Sequence, residues 1–202
     1  MQAHSATVLS PLRSDAVIDL KKAVLPSAVE VEGILYYVHT SFKYWIRFLE
    51  LSSDKDATLA DFDFMYSDQD NIPVDRIAGF KALTAFCNPP QELPRGSSGD
   101  EKTVDYAIDA DYIFAAFLEQ YGIDLVESDM HWYKFQSLFR GLHDTKLNEI
   151  IGYRLWESDG RKPDRYTRHM EKLRAAWELP ADDSGDDEAL AEFENWLNGG
   201  KG

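Results

Sequence analysis

The chain has 202 residues, and its 36 acidic side chains against 21 basic ones give a formal charge of -15. That balance opposes contact with phosphate backbones and anionic lipid, so nucleic-acid binding, DNA packaging and membrane-surface roles are not expected. A hydrophobic content of 44% with 13% aromatic residues is that of a packed globule, and one cysteine, Cys87, leaves no intramolecular disulfide or cysteine metal cluster.

Residues 1–19 are rich in small and polar types and predict a loosely held extension, with a short helix possible over Asp15 to Leu25. They lack the basic-then-apolar signature of a secretory signal, and no apolar run approaches a membrane span, so a cytoplasmic protein is expected. Beyond Pro26, Val29 and Val31 alternate with Glu30 and Glu32, Gly33 punctuates, and Leu35 to Val38 form a β-prone run. This predicts a hairpin pivoting at Glu32-Gly33. Thr40 or Ser41 then caps a helix through Glu50, with Phe42, Trp45, Ile46 and Leu49 on one face.

From Ser52 to Asn71 acids alternate with aromatics, which predicts a short helix and a loop into Pro73. A clearer helix spans about 74–86, with Ile77, Phe80, Leu83 and Phe86 as its apolar face, and stops at Asn88-Pro89-Pro90. Cys87, at the end of that run, is expected to be a buried and unreactive thiol. Residues 88–103 hold the densest cluster of breakers and read as an exposed, mobile loop inside one domain.

The next stretch is the most tightly patterned. Ile113, Phe117 and Tyr121, with Phe114 and Leu118 beside them, place a broad apolar stripe on a helix that Gly122 stops. A second helix, capped by Ser128 or Asp129, carries Trp132, Phe135, Phe139 and Leu142 at helical spacing, and the two stripes should pack together. Asp144 or Thr145 caps a third helix with Leu147, Ile150, Ile151 and Leu155 on a shared face, in which Gly152 permits a close helix contact. A fourth starts near Asp164, carries Tyr166, Met170, Leu173 and Trp177, and ends at Pro180. The acidic run ADDSGDDE leads into a terminal helix with Leu190, Phe193, Trp196 and Leu197 on one face, expected to dock on its own domain. The fold class is therefore mainly α: a single compact helical domain over 20–180 with a small N-terminal β-hairpin, followed by the 181–202 linker and helix.

Chemical motifs are sparse. Asp109 with Asp111, the Asp68, Asp70 and Asn71 group, and Asp182, Asp183, Asp186 and Asp187 do not continue into a calcium loop. Asp109 reads as a helix N-cap or a first-turn residue favoured by the helix dipole. Among His4, His39, His131, His143 and His169 no pair has ligand spacing with a carboxylate partner, and His131 reads as a structural imidazole. There is no phosphate-binding loop, dinucleotide fingerprint or nucleophile elbow. The expectation is a non-enzyme with no catalytic, cofactor-binding or metal-binding residues. Trp132 and Phe135 are assigned to the core, while Tyr133, Lys134, Arg140, Tyr153 and Arg154 form the candidate protein-binding face.

Three blocks carry a resemblance: DADYIFAAFLEQYGIDL from Asp109, HWYKFQSLFRGL from His131 and TKLNEIIGYR from Thr145, with a weaker match through VEVEGILYYVHTSFKYWIRFLEL, Val29 to Leu51. In order and spacing they resemble the bacteriophage gene-product-fifteen family of siphovirus and prophage tail-morphogenesis regions. The resemblance implies a gene between those of the major tail protein and the tape-measure protein, a position commonly held by tail assembly chaperones. It thus implies a factor in the host cytoplasm that binds the tape-measure protein, and other tail proteins in turn, without a cofactor. The competing implication is a structural minor tail or connector protein retained in the virion.

Overall fold

The structure, a computed structural model, describes residues 24–88, 103–158 and 164–180 together with positions 18 and 160. The expected N-terminal extension, most of the 88–103 loop, the C-terminal acidic linker and the terminal helix expected to dock lie outside the described residues. In chain order the elements are β1 (Ala28–Val31), β2 (Ile34–Tyr37), α1 (Phe42–Ser52), a 3₁₀ helix (Leu59–Met65), α2 (Arg76–Cys87), α3 (Ala110–Tyr121), α4 (Trp132–Gly141), α5 (Lys146–Arg154) and α6 (Arg165–Trp177). The fold is mainly α with a small two-stranded antiparallel hairpin near the N-terminus, as the periodicities predict.

The hairpin turns where expected. Glu32 (φ 52°) and Gly33 (φ 81°) are both left-handed, the requirement of a two-residue turn whose twist matches its strands. Val29 pairs with Tyr36 and Glu30 with Leu35. Alternation buries Val29, Val31 and Tyr36 and turns Glu30, Leu35 and Tyr37 outward. The extended chain continues past β2: the Ser67 N–H donates to the Tyr37 carbonyl (3.0 Å) and the His39 N–H to the Met65 carbonyl (2.8 Å). Those bonds fasten the hairpin to the end of the 3₁₀ helix, which starts at a capping box between Thr58 and Asp61.

Aromatic side chains fill the space between the helices. Trp45 stacks on Phe86 (centroids 4.7 Å apart), Phe42 on Phe135 (4.7 Å) and Phe117 on Phe135 (5.2 Å), which joins α1, α2, α3 and α4 through one continuous cluster. The expected packing of α3 on α4 is present, with the Tyr121 hydroxyl also donating to the Leu138 carbonyl at 2.9 Å. Trp132 and Phe135 are core residues, 1% and 0% exposed. Cys87 is buried, and burial pushes its thiol up to about 12, which keeps it protonated and inert at neutral pH.

Several local readings need correction. On α1 the buried residues are Phe42, Trp45 and Phe48, while Ile46 and Leu49 are only partly covered. Leu118 and Leu155 lie largely in solvent, and α6 buries no side chain fully. α4 starts later than Ser128 or Asp129 because its first turn is pinned to the first turn of α1. The Trp132 N–H donates to the Thr40 carbonyl (2.7 Å) and the Phe42 N–H to the Met130 carbonyl (3.0 Å). The cap is instead His131, whose Nδ1 accepts from the Tyr133 N–H at 3.1 Å.

The glycines that permit close contact are also different ones. A Cβ at Gly152 would meet nothing within 4 Å, whereas one at Gly79 would lie 2.7 Å from the Tyr66 hydroxyl and 3.2 Å from Pro73 Cγ, and one at Gly141 2.8 Å from the Tyr121 hydroxyl. Gly79→Ala should therefore destabilise the fold by about 1–3 kcal/mol through overpacking. Gly152→Ala, in a helix interior, should stabilise it by up to about 1 kcal/mol. Urea denaturation of the two variants checks both, and equal effects would contradict this packing.

Candidate protein-binding surface

The five residues expected to form a binding face do not share one. Lys134 and Arg140 are exposed and Tyr153 is half-buried, but Tyr133 is 5% and Arg154 7% exposed. Tyr133 stacks against Phe86 at 4.9 Å, and burial raises the pKa of its phenol. The Tyr153 ring lies under the Lys146 ammonium at 5.5 Å, beside the short Lys146–Glu149 ion pair. The predicted face is thus corrected: Lys134 and Arg140 stay at the surface, Tyr153 lies partly covered, and Tyr133 and Arg154 belong to the interior.

Arg154 instead has a structural partner that the sequence reading did not connect to it. Its Nη1 and Nη2 donate to the two carboxylate oxygens of Asp109 at 2.7 and 2.9 Å, a bidentate pair 45 positions apart in the chain. Nη1 also donates to the Thr103 carbonyl (2.9 Å) and Nε to the Trp177 carbonyl (2.7 Å). Asp109 is 1% exposed and additionally accepts from the Asp105 N–H at 3.0 Å. It occupies the N-cap position of α3 without making the capping bond. Its carboxylate is committed to the guanidinium, because an unpaired buried charge would cost far more than a missing cap. No local spacing announces such a pair.

His131 is structural in a way that fixes its protonation. The Tyr133 N–H must donate to Nδ1, so Nε2 carries the hydrogen and donates to the Pro26 carbonyl at 2.8 Å. A second proton, on Nδ1, would break the cap of α4. Burial lowers the imidazole's pKa, outweighing the hydrogen bond to Pro26. Among the described residues no three His, Cys, Asp or Glu side chains are placed to hold a metal ion, and no helix is long and apolar enough to cross a membrane.

Exposed large apolar side chains are scattered over the described residues, Val74, Val126 and Leu155 among them, and two share one face of the hairpin. Leu35 and Tyr37 are 54% and 61% exposed on its outer face. His39 follows at the same alternation and stacks on Tyr44 (4.1 Å), Tyr44 stacks in turn near Phe64 (6.3 Å), and the Arg47 guanidinium caps the Phe64 ring at 4.4 Å. Glu30, opposite Leu35, and Glu32 in the turn put carboxylates at the other end. The run Leu35 to Val38 signals a strand in the sequence. Which of its sides lacks a covering element is decided only by the placement of α2 and the 3₁₀ helix.

Compared with known proteins, residues 21–179 match the family model described as Bacteriophage Gp15 protein. No curated protein and no solved structure matches the chain.

Removing one partner of the buried pair, by Asp109→Asn or Arg154→Met, should cost about 3–5 kcal/mol in denaturant unfolding. Lys134→Glu should change stability by less than about 0.5 kcal/mol. The lowered His131 pKa carries a pH signature. Stability is fully present above the unfolded-state pKa near 6.5 and is lost as pH falls below it, because the unfolded chain takes up the proton first. His131→Asn, which keeps a capping oxygen, should flatten that part of a stability-versus-pH curve; an unchanged slope would assign the loss to other groups.

Proposed function

We propose, on the premise that the chain belongs to the bacteriophage Gp15 protein family, that it is a tail assembly chaperone for the tape-measure protein. A member of that family is a phage-associated structural or morphogenesis protein, and the finer assignment rests on what such a factor must do physically. A tape-measure protein is long, helical and prone to aggregate before tail-tube subunits enclose it. A chaperone for it needs a modest apolar surface on a well-solvated body, so that binding is specific enough to shield a helix and weak enough to be displaced.

The observation that carries the reading is the hairpin face that no other described residue covers, with Leu35 and Tyr37 in solvent, on a chain of charge -15. A subunit held permanently in a particle would bury on the order of 800 Å² of total surface per partner or more. Displacement by competing tube subunits requires no nucleotide, metal or catalytic residue, and the working compartment on this reading is the host cytoplasm.

Co-expression with overlapping tape-measure fragments should raise their solubility and yield a complex of moderate, salt-sensitive affinity. Mass spectrometry should find the chain in lysate and not in purified particles. A fixed stoichiometric presence in particles would make it a structural tail subunit instead.

A further inference from the structure

The outer face of the hairpin has the dimensions of a seat for one helix. Its two strands lie about 4.8 Å apart and present a platform about as wide as a helix, roughly 10 Å across. Leu35 and Tyr37, two residues apart on β2, project at about 7 Å spacing, within reach of successive turns of a helix of about 5.4 Å pitch. Past them the stacked rings of His39, Tyr44 and Phe64 extend the apolar track toward α1. The track is electrically uneven: Glu30 and Glu32 stand exposed at the turn end, and Arg47 closes the far end over Phe64.

We infer that this face receives a single amphipathic helix of a partner protein, apolar along the track and bearing lysine or arginine where it crosses the hairpin turn. The inference rests on reading the chain as a protein-binding assembly factor, and names the seat and the chemistry of its occupant. Charge complementarity selects the basic end, since the two turn carboxylates lie on a chain already at -15. Size argues against a second copy of this chain as occupant. A stable homodimer needs about 20–30 residues on each side, and this face offers a handful of side chains between two bodies that repel each other.

The test uses the full chain and two synthetic helical peptides of equal length, one of leucine and lysine, one of leucine and glutamate, with binding read by fluorescence anisotropy. The leucine-lysine peptide should bind and the leucine-glutamate peptide should not. The double substitution Leu35→Ser with Tyr37→Ser should weaken binding about tenfold or more, and Glu30→Lys several-fold. All three side chains are exposed, so circular dichroism melting should be unchanged. Binding that persists undiminished in the Leu35→Ser, Tyr37→Ser variant would reduce the effect to general charge attraction and overturn the seat. So would sedimentation showing a wild-type dimer that the same substitutions dissociate.

Tape-measure fragments separate this inference from the functional reading. If wild type keeps them soluble and the double variant does so equally well, the chaperone reading stands and the seat falls. If wild type fails to solubilise them while peptide binding still depends on Leu35 and Tyr37, the seat stands and the chaperone reading falls.

Discussion

Two buried indoles set the terms for the whole domain. Trp45 and Trp132 lie 6.4 Å apart in roughly parallel planes, each almost wholly removed from water. An indole N–H taken out of water must find an acceptor. Trp45 donates to the His39 carbonyl just before α1, and Trp132 to the Cys87 carbonyl at the end of α2, both at 2.9 Å. Carbonyls at element ends are the ones free to accept, so the indoles fix where the hairpin hands over to α1 and where α2 stops. The rings of Phe42, Phe86, Phe117 and Phe135 then close around them.

A second organiser is polar. Arg154 gathers Asp109, Thr103 and Trp177 around one planar guanidinium. An apolar side chain would fill similar space, but it would take the Arg154 donors from two carbonyls and leave a buried carboxylate without its countercharge. The pair thus contributes less to net stability than to deciding one arrangement: the entry to α3, the end of α5 and the end of α6 meet only where all these bonds can form. Aromatic packing tolerates some sliding, whereas a bidentate pair does not.

Local signals made most elements legible. Glu32-Gly33 specified its turn, Gly122 its left-handed helix stop (φ 65°), and Thr145 and Asp164 their caps, because each signal acts within a few residues. The binding face was misread for the opposite reason. Helical phase shows that Tyr133 and Arg154 lie off the main apolar stripe, but not whether another element covers them. Phe86, from α2, covers the first, and a carboxylate 45 positions away neutralises the second. Likewise Gly152 looked like a contact glycine by its place in a helix, while Gly79 serves that purpose because the ring of Tyr66 happens to arrive there. Long-range arrivals of this kind leave no local pattern. The uncovered side of β2 was illegible on the same grounds, since exposure is a property of what fails to pack.

α6 is held on very different terms from the rest. It has no fully buried side chain, and its attachments include the Arg154 bond to Trp177, the Arg174 bond to the Trp156 carbonyl at 3.1 Å, and the Trp177 ring against Tyr112 and the Lys146 ammonium. Met170, Leu173 and Trp177 are only half-buried, so detaching α6 exposes less apolar surface per side chain than opening the aromatic interior, and its opening free energy lies below that of the interior. Its amides should exchange with solvent through a local excursion that leaves α1 to α4 intact. Each excursion uncovers the guanidinium of Arg154 at its Nε edge, so among the described residues the helix without a fully buried side chain is the one latched onto the buried ion pair.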